Sequence, residues 1–381
     1  MSAPPDALAG PRHLLIPRPG TQALVIFFAA INMTPGRFNF KAAGRALDAN
    51  VLFLNNGRNA WYQDGVPGIG ADFDDTVDTL RRWAGALGAK RILTVGASMG
   101  GYAAILFATR IGGAALAFSA DTRLRDRHSR SAKLLAGGTE LRFPDLRPLV
   151  EAAGTPITLV LGEMDAVDVV SARHLGDLPS VTVRSLRGVG HDAASYLKST
   201  GRLQDLLAIF LAGRPVPEFT EAGRACAIKG LGEALAAADE RVAAQDWTGA
   251  ESRARAALGL HANSEAAHFV LGKALARQGR SAEAVPHLAI VTSLTPQFLP
   301  AIFEFGNVLR ALGEPAQALE MLRRYPPTGP QAARCEFAMG QIYASMGRIA
   351  DAIAHVRKAT ERDPTVENFT RRLASLEALR G

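Results

Sequence analysis

Residues 95–104, VGASMGGYAA, set Ser98 between Gly96 and Gly100 in a G-x-S-x-G pattern. A serine hydroxyl attacks poorly unless a base takes its proton, a third group orients the base, and donors receive the charge formed on the attacked oxygen. The chain offers a candidate for each role. ITLVLGEMDAVD puts Asp165 four residues after an apolar run that ends at Leu161, and VTVRSLRGVGHDAASYL puts His191 in a glycine-flanked loop before a helical pattern. Asp168 could reach the same histidine if the loop is drawn differently, and Asp192 adjoins His191 but is expected to point elsewhere. Asp165 is preferred because it holds the G-x-x-D place after the strand. Alone, each residue has an ordinary reading: Ser98 as a helix-start serine, His191 as a loop histidine with a backbone partner, Asp165 as a cap or turn residue.

Positioning these groups requires strands that end beside them. Between residues 22 and 212 the runs ALVIFF, NVLFLN, RILTVG, ALAFS, ITLVLG and VTVRSL are short and rich in Val, Ile, Leu and Phe, as strands buried on both faces should be. Helical patterns such as DDTVDTLRRWAGALG and MGGYAAILFATR separate them. The fold class is therefore α/β, with a mainly parallel sheet and helices on both faces. Ser98 falls on the turn from RILTVG into MGGYAAILFATR, and Asp165 and His191 fall just beyond two later strands.

After LAGRPVPEF the strand signals stop and an Ala-rich helical region begins. It repeats every 34 residues: Gly272, Gly306 and Gly340 keep this step, as do Gly279, Gly313 and Gly347, then Ala250, Ala284, Ala318 and Ala352, then Pro296, Pro330 and Pro364. The first glycine lets two helices approach, the second makes the turn, the alanine packs the second helix on the first, and the proline ends it. The first unit is degenerate, with Ala238 and Gln245 at the glycine places, and TVENFTRRLASLEALR reads as a capping helix. The expected domains are 1–213, a linker 214–230, and an all-α solenoid 231–381.

Composition narrows the function classes. The chain has 381 residues, 48% hydrophobic, a net charge of +7 without like-charge runs, and two distant cysteines, Cys226 and Cys335. A nucleic-acid role is disfavoured, and neither a disulfide framework nor a metal site is expected. The N-terminal stretch does not read as a signal peptide, and no apolar run is long enough to span a bilayer. A cytoplasmic protein without cofactor or membrane insertion is expected.

Residues 13–213 resemble the α/β-hydrolase fold through the order Ser98, Asp165, His191 at three strand ends, the stretch FFAAIN at the place of its oxyanion loop, and FLNNGRNAWYQDG before the helix that leads to the nucleophile strand. The resemblance implies attack by Ser98, general base and acid catalysis by His191, and orientation by Asp165. It implies oxyanion donors at the backbone of Met99 and of Ala30 or Ile31, although Ala29 and Ala30 stand where many relatives have His-Gly or a Gly-rich stretch. It also implies a cap from residues 119–149, whose Arg123, Arg125, Arg127, Arg130 and Lys133 fit either an anionic substrate or an Arg-rich solvated helix. Trp61 and Tyr62 fit a pocket wall and the core equally well.

The pattern FFAAINM, GRFNF, WYQDG and GASMGGYAA is similar to bacterial hydrolase-like proteins associated with surface polysaccharides and glycoproteins, which points to carbohydrate esters. Residues 231 to about 364 resemble the tetratricopeptide repeat. That register implies a concave face with Phe269, Phe303 and Phe337, edged by Lys273, Asn307 and Gln341, with Arg310 and Arg334 nearby, for a peptide or protein partner; the alternatives are that these rings pack between helices or that the capping helix fills the groove. The implied activity is that of a serine hydrolase on a small-molecule or carbohydrate ester, or a thioester, through an acyl-enzyme. Acyl transfer to a carbohydrate uses the same triad, and an inactive scaffold that binds a protein partner is the other reading.

Overall fold

The computed structural model describes residues 9–326 and 331–379, so Pro330 of the proline series lies outside the described residues. Seven strands form one sheet: β1 (His13–Ile16), β2 (Ala23–Phe28), β3 (Asn50–Leu54), β4 (Arg91–Ala97), β5 (Ala114–Phe118), β6 (Ile157–Gly162) and β7 (Val181–Leu186). Their spatial order is β1-β3-β2-β4-β5-β6-β7, with β1 antiparallel to β3 and every other pairing parallel. The six apolar runs expected as strands are β2 to β7. β1 escaped the pattern because its four residues lie between prolines.

The connecting helices are α1 (Lys41–Arg45), α2 (Phe73–Ala86), α3 (Met99–Ile111), α4 (Ser131–Leu134), α5 (Arg147–Ala153), α6 (Ala166–Leu175), α7 (Ala193–Ser199) and α8 (Leu203–Leu211). Asp72 starts α2 by accepting the Asp75 N–H at 2.9 Å, and Asp74 and Asp75 face the positive end of its dipole. Val25, Phe27, Val51, Phe53, Val95 and Phe118 share a buried cluster with Leu197, Leu206 and Phe210 of α7 and α8. The alternate residues Leu24, Ile26 and Phe28 are equally buried, and Phe28 meets Phe107 of α3 at 4.9 Å between ring centroids. Burial on both faces is why these strands read as unbroken apolar runs. Each such side chain contributes about 1.5–3 kcal/mol of transfer free energy.

The chain divides into two compact units, residues 1–236 and 237–381. Residues 214–230, expected as a linker, are anchored on the first unit. Val216 is buried and its carbonyl accepts from Arg184 Nε at 2.8 Å, while the Ala225 N–H donates to Glu163 Oε1 at 2.9 Å. The chain then runs through α9 (Leu231–Ala243), α10 (Trp247–Leu260), α11 (Glu265–Arg277), α12 (Ser281–Leu294), α13 (Leu299–Ala311), α14 (Pro315–Arg323), α15 (Ala332–Ser345), α16 (Ile349–Arg362) and α17 (Glu367–Ala378). Among the described residues no helix is long and apolar enough to cross a membrane.

Candidate active site

Chain order sets the site. From β2 the chain moves outward to β3, then crosses back over β2 to β4 and continues through β7, so the connections diverge between β2 and β4. Such a switch point leaves a crevice at the carboxyl ends of its two strands. Phe28 of β2 pairs with Gly96 of β4, so Ala30 and Ser98, each two residues further along the chain and just beyond its strand, stand on either side of it.

Ser98 joins β4 to α3 with φ 56° and ψ −122°, a conformation costly for a residue with a side chain, by about 1–3 kcal/mol. Two close approaches impose it. A Cβ on Gly96 would overlap the Gly100 carbonyl, and one on Gly100 would overlap the Phe28 carbonyl, so these glycines let the start of α3 fold against β4 and β2. The Ser98 N–H donates to Phe118 O at 2.9 Å and its carbonyl accepts the Tyr102 N–H at 3.0 Å. The Met99 N–H heads α3, where no intrahelical acceptor exists.

His191 lies in the loop between β7 and α7, and its Nδ1 is 3.0 and 3.1 Å from the two carboxylate oxygens of Asp168. The expectation that Asp165 orients this histidine is corrected. Asp165 is the N-cap of α6: its Oδ1 accepts the Asp168 N–H at 3.1 Å, and its Oδ2 pairs with Arg130 Nη2. Arg130 Nη1 also donates to Asp168 Oδ1 at 2.8 Å. Burial opposes the charge on Asp168, but the His191 hydrogen bond and Arg130 outweigh it and hold its carboxyl below the usual aspartate range. Asp165 moves the other way, raised by burial and by the charge of Asp168. Burial likewise disfavours the His191 imidazolium, yet the hydrogen bond and charge of Asp168 raise its pKa above the ordinary histidine value.

Ser98 and His191 line one cavity of about 430 Å³. Its wall includes Phe38, Phe40, Ala43, Ala97, Ala194 and Leu203, with Asn39, Lys41, Asp192, Ser195 and Lys198 as polar members. Sequence reasoning assigned no role to Asn39, although it lies within GRFNF, nor to Lys41 and Lys198, which sit in helices that carry no motif of their own. Ala30 also lines the cavity, but its N–H, expected as a free oxyanion donor, is taken by Asn39 Oδ1 at 2.8 Å. The Asn39 side-chain oxygen is therefore the acceptor that this N–H already has.

Trp61 and Tyr62 belong to the core rather than to this wall, with 1% and 0% exposure. The Tyr62 hydroxyl donates to Ala29 O at 3.1 Å, so it fastens the end of β2 from below. The cationic residues of 119–149 do not line the cavity either. Arg130 holds the two aspartates, Arg123 pairs with Asp126 at 3.4 Å, and Arg125 donates to Thr139 O at 3.1 Å. A larger cavity of about 680 Å³ opens at the amino ends of β4, β5 and β6, beside Lys90, Arg91 and Arg214. It holds none of Ser98, Asp168 and His191.

In the second unit the glycine series does what its spacing requires. A Cβ on Gly272 would come within 2.7 Å of Leu288, one on Gly306 within 2.6 Å of Leu322, and one on Gly340 within 2.5 Å of Val356. Gly279, Gly313 and Gly347 take φ of 77°, 77° and 73° at the turns, and Gln245 takes 56° at the same place in the first repeat. Residues 235–297 and 303–367 match the family model of the tetratricopeptide repeat. The second unit carries tetratricopeptide repeats.

Similar solved structures include MamA 41-end from Desulfovibrio magneticus RS-1, at 20% identity over 40% of this chain and 86% of that chain, TM-score 0.37. Another is YrrB, described as a TPR protein with an unusual peptide-binding site, at 19% identity over 48% and 88%, TM-score 0.35. A third is TTC0263, a thermophilic TPR protein from Thermus thermophilus, at 20% identity over 49% and 95%, TM-score 0.34. No curated protein matches the chain.

In the tetratricopeptide unit Phe269, Phe303 and Phe337 are half-buried and pack against the helical core. Phe269 meets Phe298 edge-on at 5.0 Å, and Phe337 lies 4.6 Å from Phe369 of α17, so the capping helix covers part of the expected row. Lys273, Asn307 and Gln341 are half-buried beside them, and Asn307 Nδ2 donates to Phe303 O at 3.0 Å.

Proposed function

We propose that residues 13–213 form a serine hydrolase of the α/β-hydrolase type, acting on a carboxylic ester or thioester, and that the tetratricopeptide unit recruits a peptide or protein partner. The observation that carries this reading is the strained Ser98, opening onto one cavity with a histidine held by a buried carboxylate. A folded chain keeps a costly backbone conformation only where its surroundings impose it, and such strain clusters at reactive sites.

In the proposed cycle His191 Nε2 takes the Ser98 proton as Oγ bonds to the substrate carbonyl carbon. Asp168 holds the Nδ1–H and stabilises the imidazolium. The carbonyl oxygen becomes an oxyanion that the Met99 N–H receives, with the Ala30 N–H joining when Asn39 turns away. His191 then gives its proton to the departing alcohol, the C–O bond breaks, and an acyl-Ser98 remains. Water, deprotonated by the same histidine, releases the acid. A sugar hydroxyl in place of water would give acyl transfer.

Lys41 and Lys198 at the cavity favour an ester that bears a negative charge. A carbohydrate ester fits the same chemistry, and a reducing cytoplasmic setting suits Cys226 and Cys335, both free thiols. The test is hydrolysis of short-chain nitrophenyl esters with a pre-steady-state burst. Loss of burst and turnover in Ser98→Ala, with the fold intact, supports the reading; equal turnover in that variant removes Ser98 from the mechanism.

A further inference from the structure

The carboxylate facing His191 has a second partner that serine chemistry does not require. Arg130 lies between β5 and α5, its side chain is 18% exposed, and its guanidinium forks over both aspartates: Nη1 to Asp168 Oδ1 at 2.8 Å, Nη2 to Asp165 Oδ2. The Asp168 side chain is 1% exposed, and the ligand atoms of Asp165, Asp168 and His191 all lie within 4.8 Å of one another. By donor type this trio could hold a metal ion, but a fixed guanidinium already engages both carboxylates and opposes a second cation. Asp165 is 22% exposed, and Asp121 is a third, buried acid that faces Arg130 and Asp168; carboxylates this close do not all ionise unless a cation stands beside them.

Backbone geometry fixes that cation. Asp121, itself buried, accepts the Ser131 N–H at 2.9 Å and the Arg130 N–H at 3.4 Å, so the turn that delivers the guanidinium is pinned at its own start.

We propose that Arg130 is a positioning residue that keeps Asp165 and Asp168 both ionised, so that His191 always meets a carboxylate rather than a carboxylic acid. The proposal rests on the hydrolase reading of Ser98. Without the guanidinium the pair shares one proton. While that proton sits on Asp168, one oxygen can still accept from Nδ1–H, but the negative charge that raises the basicity of His191 and stabilises its imidazolium is gone.

The test is one of charge balance. Arg130→Met removes the cation and keeps an unbranched apolar stem. Its kcat/KM on nitrophenyl butyrate at neutral pH is expected to fall about 100-fold through kcat, short of the loss of about 10⁴ that follows removal of an orienting carboxylate. The acid limb of its pH profile should move to higher pH and steepen, because a shared carboxyl proton must now leave as well as that of His191. Adding Asp165→Asn removes the excess negative charge while asparagine still caps α6. Arg130→Met/Asp165→Asn should therefore recover at least about tenfold and return to a single ionisation.

Additive losses in the double variant, or an unchanged acid limb in Arg130→Met, would overturn the proposal. If Arg130→Met does not fold, Arg130→Lys keeps the charge and must keep the wild-type limb; a shifted limb there overturns the proposal equally. His191 can also be titrated directly by NMR in each variant, with a biphasic curve expected only for Arg130→Met and a single step there counting against it. Failure of wild-type Ser98 to react with a fluorophosphonate would sink the hydrolase reading, whereas labelling without rescue sinks only the role of Arg130.

Discussion

His191 Nδ1 stands 3.0 Å from Oδ1 and 3.1 Å from Oδ2 of Asp168, while Asp165, three residues earlier, caps α6 and pairs with Arg130. One carboxylate orients the histidine and the other starts a helix. Asp168→Asn should lower kcat by about 10³–10⁴, because asparagine can present its amide to Nδ1 and leave the wrong tautomer. Asp165→Asn keeps a capping oxygen and should cost less than about tenfold. Steady-state kinetics on one nitrophenyl ester decides between them, and the opposite ranking would return the role to Asp165.

The pH dependence has a definite sign. Burial works against the charged imidazole, but the hydrogen bond and charge of Asp168 prevail and raise the His191 pKa. The base must be neutral, so activity is lost as pH falls through this raised value. The acid limb of kcat/KM should therefore lie above the ordinary histidine pKa of about 6.5. Asp168→Asn should move it downward, and a limb below that ordinary value in the wild type would contradict the assignment.

Strain at Ser98 separates two substitutions that the proposed mechanism makes equally inactive. Ser98→Ala keeps a Cβ at φ 56° and should melt with the wild type, whereas Ser98→Gly relieves the backbone and should stabilise by about 1 kcal/mol, or about 2–4 °C. Calorimetry on both variants reads the difference. A glycine variant less stable than the alanine one would show that the conformation carries no strain.

Much of this arrangement is legible in the sequence, and what is not has physical causes. β2 to β6 read as strands because both their faces are buried, whereas β1 is an antiparallel edge segment of four residues, His13 to Ile16. G-x-S-x-G is legible because its glycines answer to backbone overlaps with Gly100 and Phe28 that allow no side chain. Spacing alone cannot separate Asp165 from Asp168, since D-x-x-D serves equally as strand-end acid and as helix cap, and Arg130 comes from 35 residues away in sequence. In sequence Tyr62 fits a pocket wall and the core equally, and its hydroxyl on the carbonyl of Ala29 decides for the core. The closing of the Ala30 donor by Asn39 is a tertiary contact within one loop, and no pattern announces it.

The solenoid offers a separate check. Gly306→Ala would drive a methyl to 2.6 Å from Leu322 and should destabilise the second unit by about 1–3 kcal/mol, leaving esterase activity intact. Thermal melting followed by circular dichroism, with activity measured alongside, tests this. Unchanged melting would mean that α13 and α14 do not approach as closely as described.

Charge along the cavity wall predicts selectivity. Lys41 and Lys198 line the cavity against one carboxylate, Asp192. A nitrophenyl hemisuccinate should be turned over about fivefold faster in kcat/KM than the neutral butyrate at low ionic strength, with the preference fading in salt. Lys41→Glu/Lys198→Glu should reverse it. A preference indifferent to both salt and these lysines would place the selectivity elsewhere.

An activated nucleophile at Ser98 would react with a fluorophosphonate whatever its substrate. Intact-mass and peptide mass spectrometry of the labelled wild-type protein should find one adduct, on Ser98, formed fastest above the His191 pKa and absent from Ser98→Ala. Its rate should fall steeply in Asp168→Asn and hold in Asp165→Asn. No adduct on the folded wild-type chain, or an adduct on another residue that survives Ser98→Ala, would contradict the account.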